Sequence, residues 1–298
     1  MEGISKGKVV RPALVLIYGP DGVGKSTFGA EAPNAIFVGP EDGTANLDVA
    51  RFDGIKTFTD VRNAIRRLTS ENHPYKTLVL DSIDWMEPQL WKEICTDAKV
   101  AIIEDAFGGY GKGYTRANQI WVEFMNDLKN LRETKKMHII AIAHSHVKSF
   151  NDPSQHLPYD RYMLKLNEKA AALWREFCDC VLFANFEVVV KKEKNAQKAK
   201  AYGDDKRLLF SVRRPSFDAK NRYGLPFELP LSWDAFNAAM IAGNPDTLEA
   251  VMAEIVDLQT AMKEPNKTNM TTAVTNAAGD VQKLIKIRNH ARVLAGEQ

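Results

Sequence analysis

The sequence predicts an α/β fold in which a mostly parallel sheet is flanked by helices. Three observations predict it: short, continuous apolar runs that are typical of strands buried on both faces, amphipathic helical patterns between them, and a glycine-rich motif directly after the first run. The runs span residues 13–18, 35–38, 77–80 and 138–143. Because strands and helices alternate, parallel pairing through crossover helices is the expected topology.

The composition is that of an ordinary globular protein. The 298 residues include 40 Lys and Arg against 38 Asp and Glu, a formal net charge of +2, which excludes a strongly basic DNA-coating protein. No run of about 18 apolar residues exists, and the N-terminus lacks the apolar segment of a secretory signal. We therefore expect a cytoplasmic protein with no membrane contact. Three cysteines are too few and wrongly spaced for a zinc site or a disulfide framework.

The chain is expected to comprise a core, residues 1–240, and a small C-terminal helical region, residues 241–298. Two strands flank the Lys-rich segment 191–207, which predicts an antiparallel hairpin at the sheet edge. This segment is either a solvated charge run or a DNA-facing hairpin. In the C-terminal region, Asn244 followed by Pro245 predicts a helix start, whereas the Thr-, Asn- and Ala-rich stretch 264–280 is expected to be loose.

The glycine-rich motif is a phosphate-binding loop. Residues 19–26 match the pattern G-x-x-x-x-G-K-[ST], in which backbone N–H groups surround phosphates, Lys25 reaches the β- and γ-phosphates and the Ser26 hydroxyl ligates Mg²⁺. The alternative is an accidental glycine-rich turn, which the preceding strand disfavours. We therefore expect ATP and Mg²⁺ as cofactors. The expected nucleotide-binding residues are Gly19, Asp21, Gly22, Val23, Gly24, Lys25, Ser26 and Thr27.

A second acidic element follows the third apolar run. This run ends in Asp81, as a Walker B strand should, and Ser82 and Asp84 come directly after it. We expect Asp81 to hold the metal ion together with Ser26. The alternative is an Asp that only caps the following turn.

The order and spacing of these motifs resemble those of RecA-like P-loop ATPases, most closely the compact phage recombinase-type proteins associated with single-strand annealing. The resemblance covers about residues 10–235. It implies a RecA-like core that hydrolyses ATP to ADP and phosphate with stimulation by single-stranded DNA, in phage recombination or strand annealing in a host cytoplasm. It also implies a homo-oligomer, ring or filament, with ATP at subunit interfaces, and a single-strand-binding or annealing protein as a further partner.

The resemblance assigns catalytic roles to Lys25 and to two strand-end residues. Glu41 follows the second strand, where these proteins place the carboxylate that activates water, with Asp42 as the alternative. His144 follows the fourth apolar run, where they place a γ-phosphate sensor that is often Gln. An imidazole can still donate a hydrogen bond there.

The same resemblance assigns two cations to the ATP site of a neighbouring subunit. Lys220 and Arg222 match a Lys-x-Lys or Lys-x-Arg element whose cations stabilise charge during phosphoryl transfer. Arg213 and Arg214 are rivals, and a plain solvated turn is the alternative.

Two segments lie where RecA-like proteins contact single-stranded DNA. In the first, residues 107–114, Tyr110 and Tyr114 are candidates for base stacking and Lys112 for a phosphate contact. The second, residues 147–169, interleaves aromatic and cationic residues. Its candidate DNA-binding residues are Lys148, Arg161 and Lys165. The alternative for both segments is a substrate lid or plain surface loops.

Two other functions stay open at this stage. A helicase-like motor of the same superfamily also carries a Lys-x-Arg-x-Gly element, and a non-hydrolysing nucleotide switch would recruit partners through the C-terminal helices. Four tryptophans at helical positions are expected in the core or at a subunit interface rather than against a nucleobase. They are Trp85, Trp91, Trp121 and Trp174.

Overall fold

A computed structural model describes residues 11–41, 43–191, 200–243, 248–262, 266–277, 283–284, 286–288 and 290–291. Its strands are β1 (Leu14–Gly19), β2 (Ala35–Val38), β3 (Ala50–Arg51), β4 (Thr77–Leu80), β5 (His138–Phe150), β6 (Tyr159–Leu164), β7 (Cys180–Lys191), β8 (Lys200–Phe210), β9 (Lys220–Asn221) and β10 (Glu228–Pro230). Its helices are α1 (Lys25–Ala30), α2 (Phe58–Ser70), α3 (Ile83–Ala98), α4 (Lys112–Lys135), α5 (Glu168–Phe177), α6 (Trp233–Gly243), α7 (Leu248–Ala261) and α8 (Asn266–Ala277), with a 3-10 helix at Ile103–Gly108.

The strands form one sheet in the order β10-β8-β7-β1-β5-β4-β2-β3, with β6 paired to β5 and β9 to β7. From β7 to β3 every neighbouring pair is parallel, whereas β8 and β10 pair antiparallel. The prediction of a mostly parallel sheet flanked by helices, with an antiparallel edge hairpin, is therefore confirmed. Parallel register aligns the ends of the central strands, since Gly19 of β1 lies opposite His144 of β5.

Strand β5 is longer than its apolar run predicts. It continues to Phe150 and pairs antiparallel with β6, with Ser145 opposite Leu164 and Phe150 opposite Tyr159. The predicted loop 147–169 is thus largely a β-ribbon that leads into α5. Apolar patterning missed this half of the strand because its side chains are mostly exposed and polar, in contrast to the buried first half.

The core on one side of the sheet is aromatic. Phe58 of α2 packs edge-on against Trp121 of α4, with ring centroids 5.2 Å apart, and Trp121 in turn meets Trp174 of α5 at 5.4 Å. All three side chains are fully buried. These helices therefore cover the sheet, and the expectation of core positions holds for Trp121 and Trp174.

Contacts divide the chain into two units, one of residues 12–236 and the other of residues 1–11 with 237–298. In the second unit α7 and α8 share an apolar core that includes Ile255 and Met270. The expectation of a loose stretch at 264–280 is wrong, because α8 occupies most of it. Its threonine hydroxyls donate to carbonyls four residues earlier, as Thr271 does to Lys267 at 3.0 Å, and so replace solvent as partners.

Some predictions fall outside the described residues. These are the helix start at Asn244 and Pro245, residues 192–199 of the Lys-rich segment, and the alternative base Asp42. Among the residues that the structure does describe, no helix is long and apolar enough to cross a membrane.

Candidate active site

The phosphate loop connects β1 to α1 and holds the Lys25 ammonium inside its own turn. Gly24, the residue before α1, has φ 107°, a left-handed conformation that favours glycine. Lys25 Nζ donates to the carbonyls of Gly19 at 3.1 Å and Pro20 at 2.9 Å. The side chain is 5% exposed, and burial lowers its pKa. The loop thus places a desolvated cation where the motif predicts the β- and γ-phosphates.

Ser26 and Asp81 meet across the end of the sheet. Ser26 Oγ donates to Asp81 Oδ2 at 2.7 Å, so the two predicted metal ligands are already adjacent. Asp81 is buried, and that burial raises its pKa. The backbones of Gly39 and Asp81 also approach closely, since a Cβ on Gly39 would lie 1.8 Å from the Asp81 carbonyl oxygen. Only glycine fits there, and its presence lets the segment after β2 pass directly beside Asp81.

This close approach brings Glu41 into the same site. The Ser82 hydroxyl donates to Glu41 Oε2 at 3.0 Å, which fixes one oxygen of the carboxylate. The other oxygen has no hydrogen-bond partner among the described residues. Glu41 lies with Ser26 and Asp81 at one cavity, as the prediction of a water-activating base requires.

His144 is held at the site by an unpredicted partner, Asp84. Asp84, in the first turn of α3, accepts from the His144 backbone N–H at 3.0 Å through Oδ1 and contacts His144 Nδ1 at 2.9 Å through Oδ2. The opposite ring nitrogen, Nε2, lies 3.5 Å from Asp21 of the phosphate loop.

The two groups stabilise each other's charge. The hydrogen bond to Asp84 raises the pKa of His144. Burial would raise the pKa of Asp84, but its bonds with His144 outweigh burial and lower it. The sequence showed Asp84 at the same sheet edge as Asp81, yet nothing in the pattern indicated which side chain it would meet.

These groups surround a cavity of about 560 Å³ at the carboxyl ends of the central strands. Its lining includes six of the predicted nucleotide-binding residues, Asp21, Gly22, Gly24, Lys25, Ser26 and Thr27, together with Glu41, Asp81 and His144. It also includes Trp85, Lys165 and Arg207, to which the sequence assigned other places. Trp85 is 49% exposed, so of the two places expected for it, the core or a subunit interface, the core is excluded.

Lys220 and Arg222 are not among the residues that line this cavity. Lys220 Nζ instead donates to three carbonyls at the end of α5, those of Arg175 at 2.9 Å, Glu176 at 3.0 Å and Cys178 at 2.6 Å. Arg222 is more exposed and pairs with Asp179 at 3.2 Å. Within one chain, Lys220 therefore caps a helix, while Arg222 makes a single surface ion pair.

The predicted DNA-binding residues divide into exposed and engaged side chains. Tyr110 is fully exposed just before Lys112, the first residue of α4. Tyr114 donates its hydroxyl to Glu104 and packs against Trp91. This segment is thus a short turn between the 3-10 helix and α4 that carries the exposed Tyr110, followed by the start of α4, rather than an open loop.

On the β5–β6 ribbon the outcome is mixed. Lys148 pairs with Glu168 at 2.6 Å and stays exposed. Arg161 is only 4% exposed, with its guanidinium over the Phe150 ring and 3.5 Å from Asp218. A buried guanidinium cannot contact the phosphate backbone of a DNA strand. Arg161 is therefore a structural residue, and its assignment to DNA binding is wrong. Lys165 is exposed and lines the phosphate-loop cavity.

The chain is similar to a known protein family and to a solved structure. A family model described as AAA domain (AAA_24) matches residues 11–223. Among solved structures, the crystal structure of the RadB recombinase is 14% identical, with 71% of this chain and 92% of that chain covered and a TM-score of 0.35. A score and identity this low carry no inference about function. None of the curated proteins matches.

Proposed function

The chain belongs to the AAA_24 family of AAA domains and so contains a P-loop ATPase domain; from that premise we propose that it hydrolyses Mg²⁺-ATP in response to single-stranded DNA. One observation carries the proposal. The Ser26–Asp81 hydrogen bond of 2.7 Å joins the phosphate loop to the acidic strand end, and Lys25, Glu41 and His144 line the same cavity. A phosphate cradle, a metal-binding pair and a base are the parts that phosphoryl transfer needs.

The residues present fit a magnesium ion. A hydroxyl and a carboxylate oxygen 2.7 Å apart are hard oxygen donors of the kind that Mg²⁺ prefers, with the remaining positions left for water and phosphate oxygens. The buried carboxylate of Asp81, whose pKa burial raises, gains from a nearby cation. When bound, the metal neutralises charge on the phosphates.

The protein's own groups supply the rest of the mechanism. Lys25 binds the phosphate oxygens beside the loop amides. Glu41, fixed by Ser82 through one oxygen, uses the other to orient a water molecule and take its proton as the water attacks the terminal phosphate. His144 donates from Nε2 to the terminal phosphate, and Asp84 holds the ring in that orientation from the opposite nitrogen.

The DNA part of the proposal rests on strand β5. His144 at the cavity and Lys148 on the ribbon belong to the same continuous strand, so a change at the phosphate can reach the ribbon without crossing a flexible joint. We assign single-stranded DNA to this ribbon and to the segment of Tyr110, Lys112 and Tyr114. An exposed aromatic side chain next to a cation suits sequence-tolerant binding of single strands.

Oligomerisation and recombination or annealing complete the proposal. Arg222 is the better candidate to enter a neighbour's ATP site, because its side chain is 58% exposed and gives up only one ion pair. The role in phage recombination, in a host cytoplasm and with a single-strand-binding or annealing protein as partner, rests on the resemblance of the motifs alone.

The test is an ATPase assay with and without single-stranded DNA, run beside a native mass measurement. We expect magnesium-dependent turnover that rises with DNA and an oligomeric mass. DNA affinity should fall with salt with a log–log slope near −0.7 per phosphate contact. Unwinding of forked DNA would favour the helicase-like motor instead. Nucleotide binding with no turnover under any condition would favour the non-hydrolysing switch.

A further inference from the structure

Arg207 ends the Lys-rich segment 191–207, for which the sequence leaves open a solvated charge run or a DNA-facing hairpin, and the fold brings it to the phosphate loop. It lies on β8 opposite Phe186 of β7, and its carbonyl accepts from Leu231 N–H at 3.0 Å. The backbone at this point is therefore fixed by a strand on each side. The side chain lines the same cavity as Lys25 and Ser26.

The guanidinium is close to the loop itself. A Cβ built on Gly24 would lie 3.1 Å from Arg207 Nη1, so the cation sits beside the residue that precedes the loop lysine. Phe186 supports it from behind, with the guanidinium carbon 5.7 Å from the ring centroid. A planar cation over an aromatic ring keeps its N–H groups free at its edge.

The charge of Arg207 is not neutralised by its own surroundings. Within the described part of the chain no carboxylate lies within ion-pair distance of it, whereas the adjacent Lys206 pairs with Glu187 at 2.9 Å. Lys206 and Arg207, adjacent on β8, thus differ in their surroundings. Lys206 faces a glutamate on the hairpin, whereas Arg207 faces a loop whose motif binds anions.

We propose that Arg207 binds the phosphate chain of the nucleotide at the Gly24 side of the loop, as a second cation supplied from the same subunit. A guanidinium can donate two parallel hydrogen bonds to phosphate oxygens, which a lysine cannot reproduce. This assignment rests on the proposed function of the cavity and adds to it a contact outside the sequence motif. It also gives the antiparallel edge hairpin a role in the site.

The experiment measures equilibrium binding of fluorescent ADP and ATP to the full chain. We expect Arg207→Ala to weaken both about 10- to 100-fold, as loss of charge-assisted hydrogen bonds should. Arg207→Lys should lie between Arg207→Ala and the wild type, because it restores charge without the fork. Lys206→Ala is the matched control, and its nucleotide affinity should stay within about twofold of wild type.

The outcomes are distinguishable. Wild-type affinity in Arg207→Ala would overturn this inference while leaving the proposed function intact, and absence of nucleotide binding by the wild type would overturn both. Loss of single-stranded DNA affinity with unchanged nucleotide affinity would assign Arg207 to a DNA phosphate and also overturn it. If Arg207→Ala does not fold, judged by its thermal unfolding, Arg207→Lys and Arg207→Gln decide by the same measurement.

Discussion

The sequence predicts functional charged residues in two places, at the carboxyl edge of the parallel strands and in the segment 218–224, which contains Lys220 and Arg222. The fold uses the charged residues of these two regions differently. At the edge, the bonds Ser26–Asp81, Ser82–Glu41 and Asp84–His144 gather polar groups around a cavity. In the segment, the polar groups hold the chain to itself: the Tyr18 hydroxyl donates to the Asp218 carbonyl at 2.7 Å, and Leu14 N–H donates to the Tyr223 hydroxyl at 2.9 Å.

The difference shows what position adds to residue type. A side chain just past a parallel strand has no remaining role in the sheet and faces a crevice common to its neighbours. A cation on a short strand can instead bind the nearest carbonyls that lack a helical partner, as Lys220 of β9 does at the end of α5. The contrast between a site edge and a structural segment can be tested by substitutions in each.

The largest effect is expected at the edge, from Glu41→Gln. The amide cannot take a proton from water, so turnover should fall by about 10²–10⁴-fold, equivalent to about 3–5 kcal/mol of activation free energy. Nucleotide affinity should change by less than about threefold. Steady-state ATP hydrolysis and equilibrium nucleotide binding are the two measurements.

The matched control for this variant is Glu71→Gln, which alters an exposed carboxylate paired with Arg67 at 2.9 Å on α2. It should hydrolyse ATP as the wild type does. Turnover by Glu41→Gln within a factor of three of wild type would mean that the base lies elsewhere and that the edge only binds.

The next effect concerns Glu87, one helical turn after Asp84 on α3. It is buried without a cation, accepts from Asn167 N–H at 2.9 Å, and burial raises its pKa from 4.5 to about 7. The folded state therefore binds a proton more tightly than the unfolded state. Stability from this group is complete below about pH 4.5 and is lost as pH rises through about 7, by on the order of 3 kcal/mol.

Glu87→Gln should remove that dependence, because the amide can still accept from Asn167 but does not titrate. The free energy of unfolding of the variant, relative to wild type, should rise between pH 5 and pH 8 in urea titrations. If the free energy of unfolding instead changed with pH in the same way for both proteins, Glu87 would carry its charge in the folded state without a loss of stability. Glu87 would then not differ from Asp84, whose carboxylate is stabilised in its charged form by His144.

The smallest effects are expected in segment 218–224. Lys220→Ala loses three hydrogen bonds from a charged donor at a helix end and should lower the free energy of unfolding by about 2 kcal/mol. Arg222→Ala loses one exposed ion pair and should cost less than about 1 kcal/mol. Urea unfolding of the pair of variants measures both.

Turnover in the proposed oligomer separates a structural role from a catalytic one in the same two variants. If Arg222 enters a neighbour's site, Arg222→Ala loses turnover although it is the more stable variant. Full turnover in Arg222→Ala assemblies contradicts that role. Equal stability of Lys220→Ala and wild type contradicts the helix-capping role of Lys220.

The sequence predicted the central strands because each is a short apolar run, buried along its length, as β1 and β4 are. The phosphate-loop motif indicated Lys25 and Ser26, and the acidic end of an apolar run indicated Asp81. The roles of Glu41 and His144 were implied by the resemblance to RecA-like ATPases. The sequence pattern did not indicate α8, because threonines at exposed positions are not typical of a helix. It missed Trp85 and Arg207 at the cavity because their approach depends on how distant elements pack, which no local pattern records.

Strand β5 has a mechanical consequence. Its first half lies between β1 and β4, while its second half, among the strands that the structure describes, pairs with β6 alone. The six residues from Ser145 to Phe150 extend about 20 Å beyond the part of β5 that lies between β1 and β4, at roughly 3.3 Å per residue. Because of this length, a tilt of about 5° at His144 would displace the tip of the ribbon by about 2 Å, enough to make or break contacts at the far end.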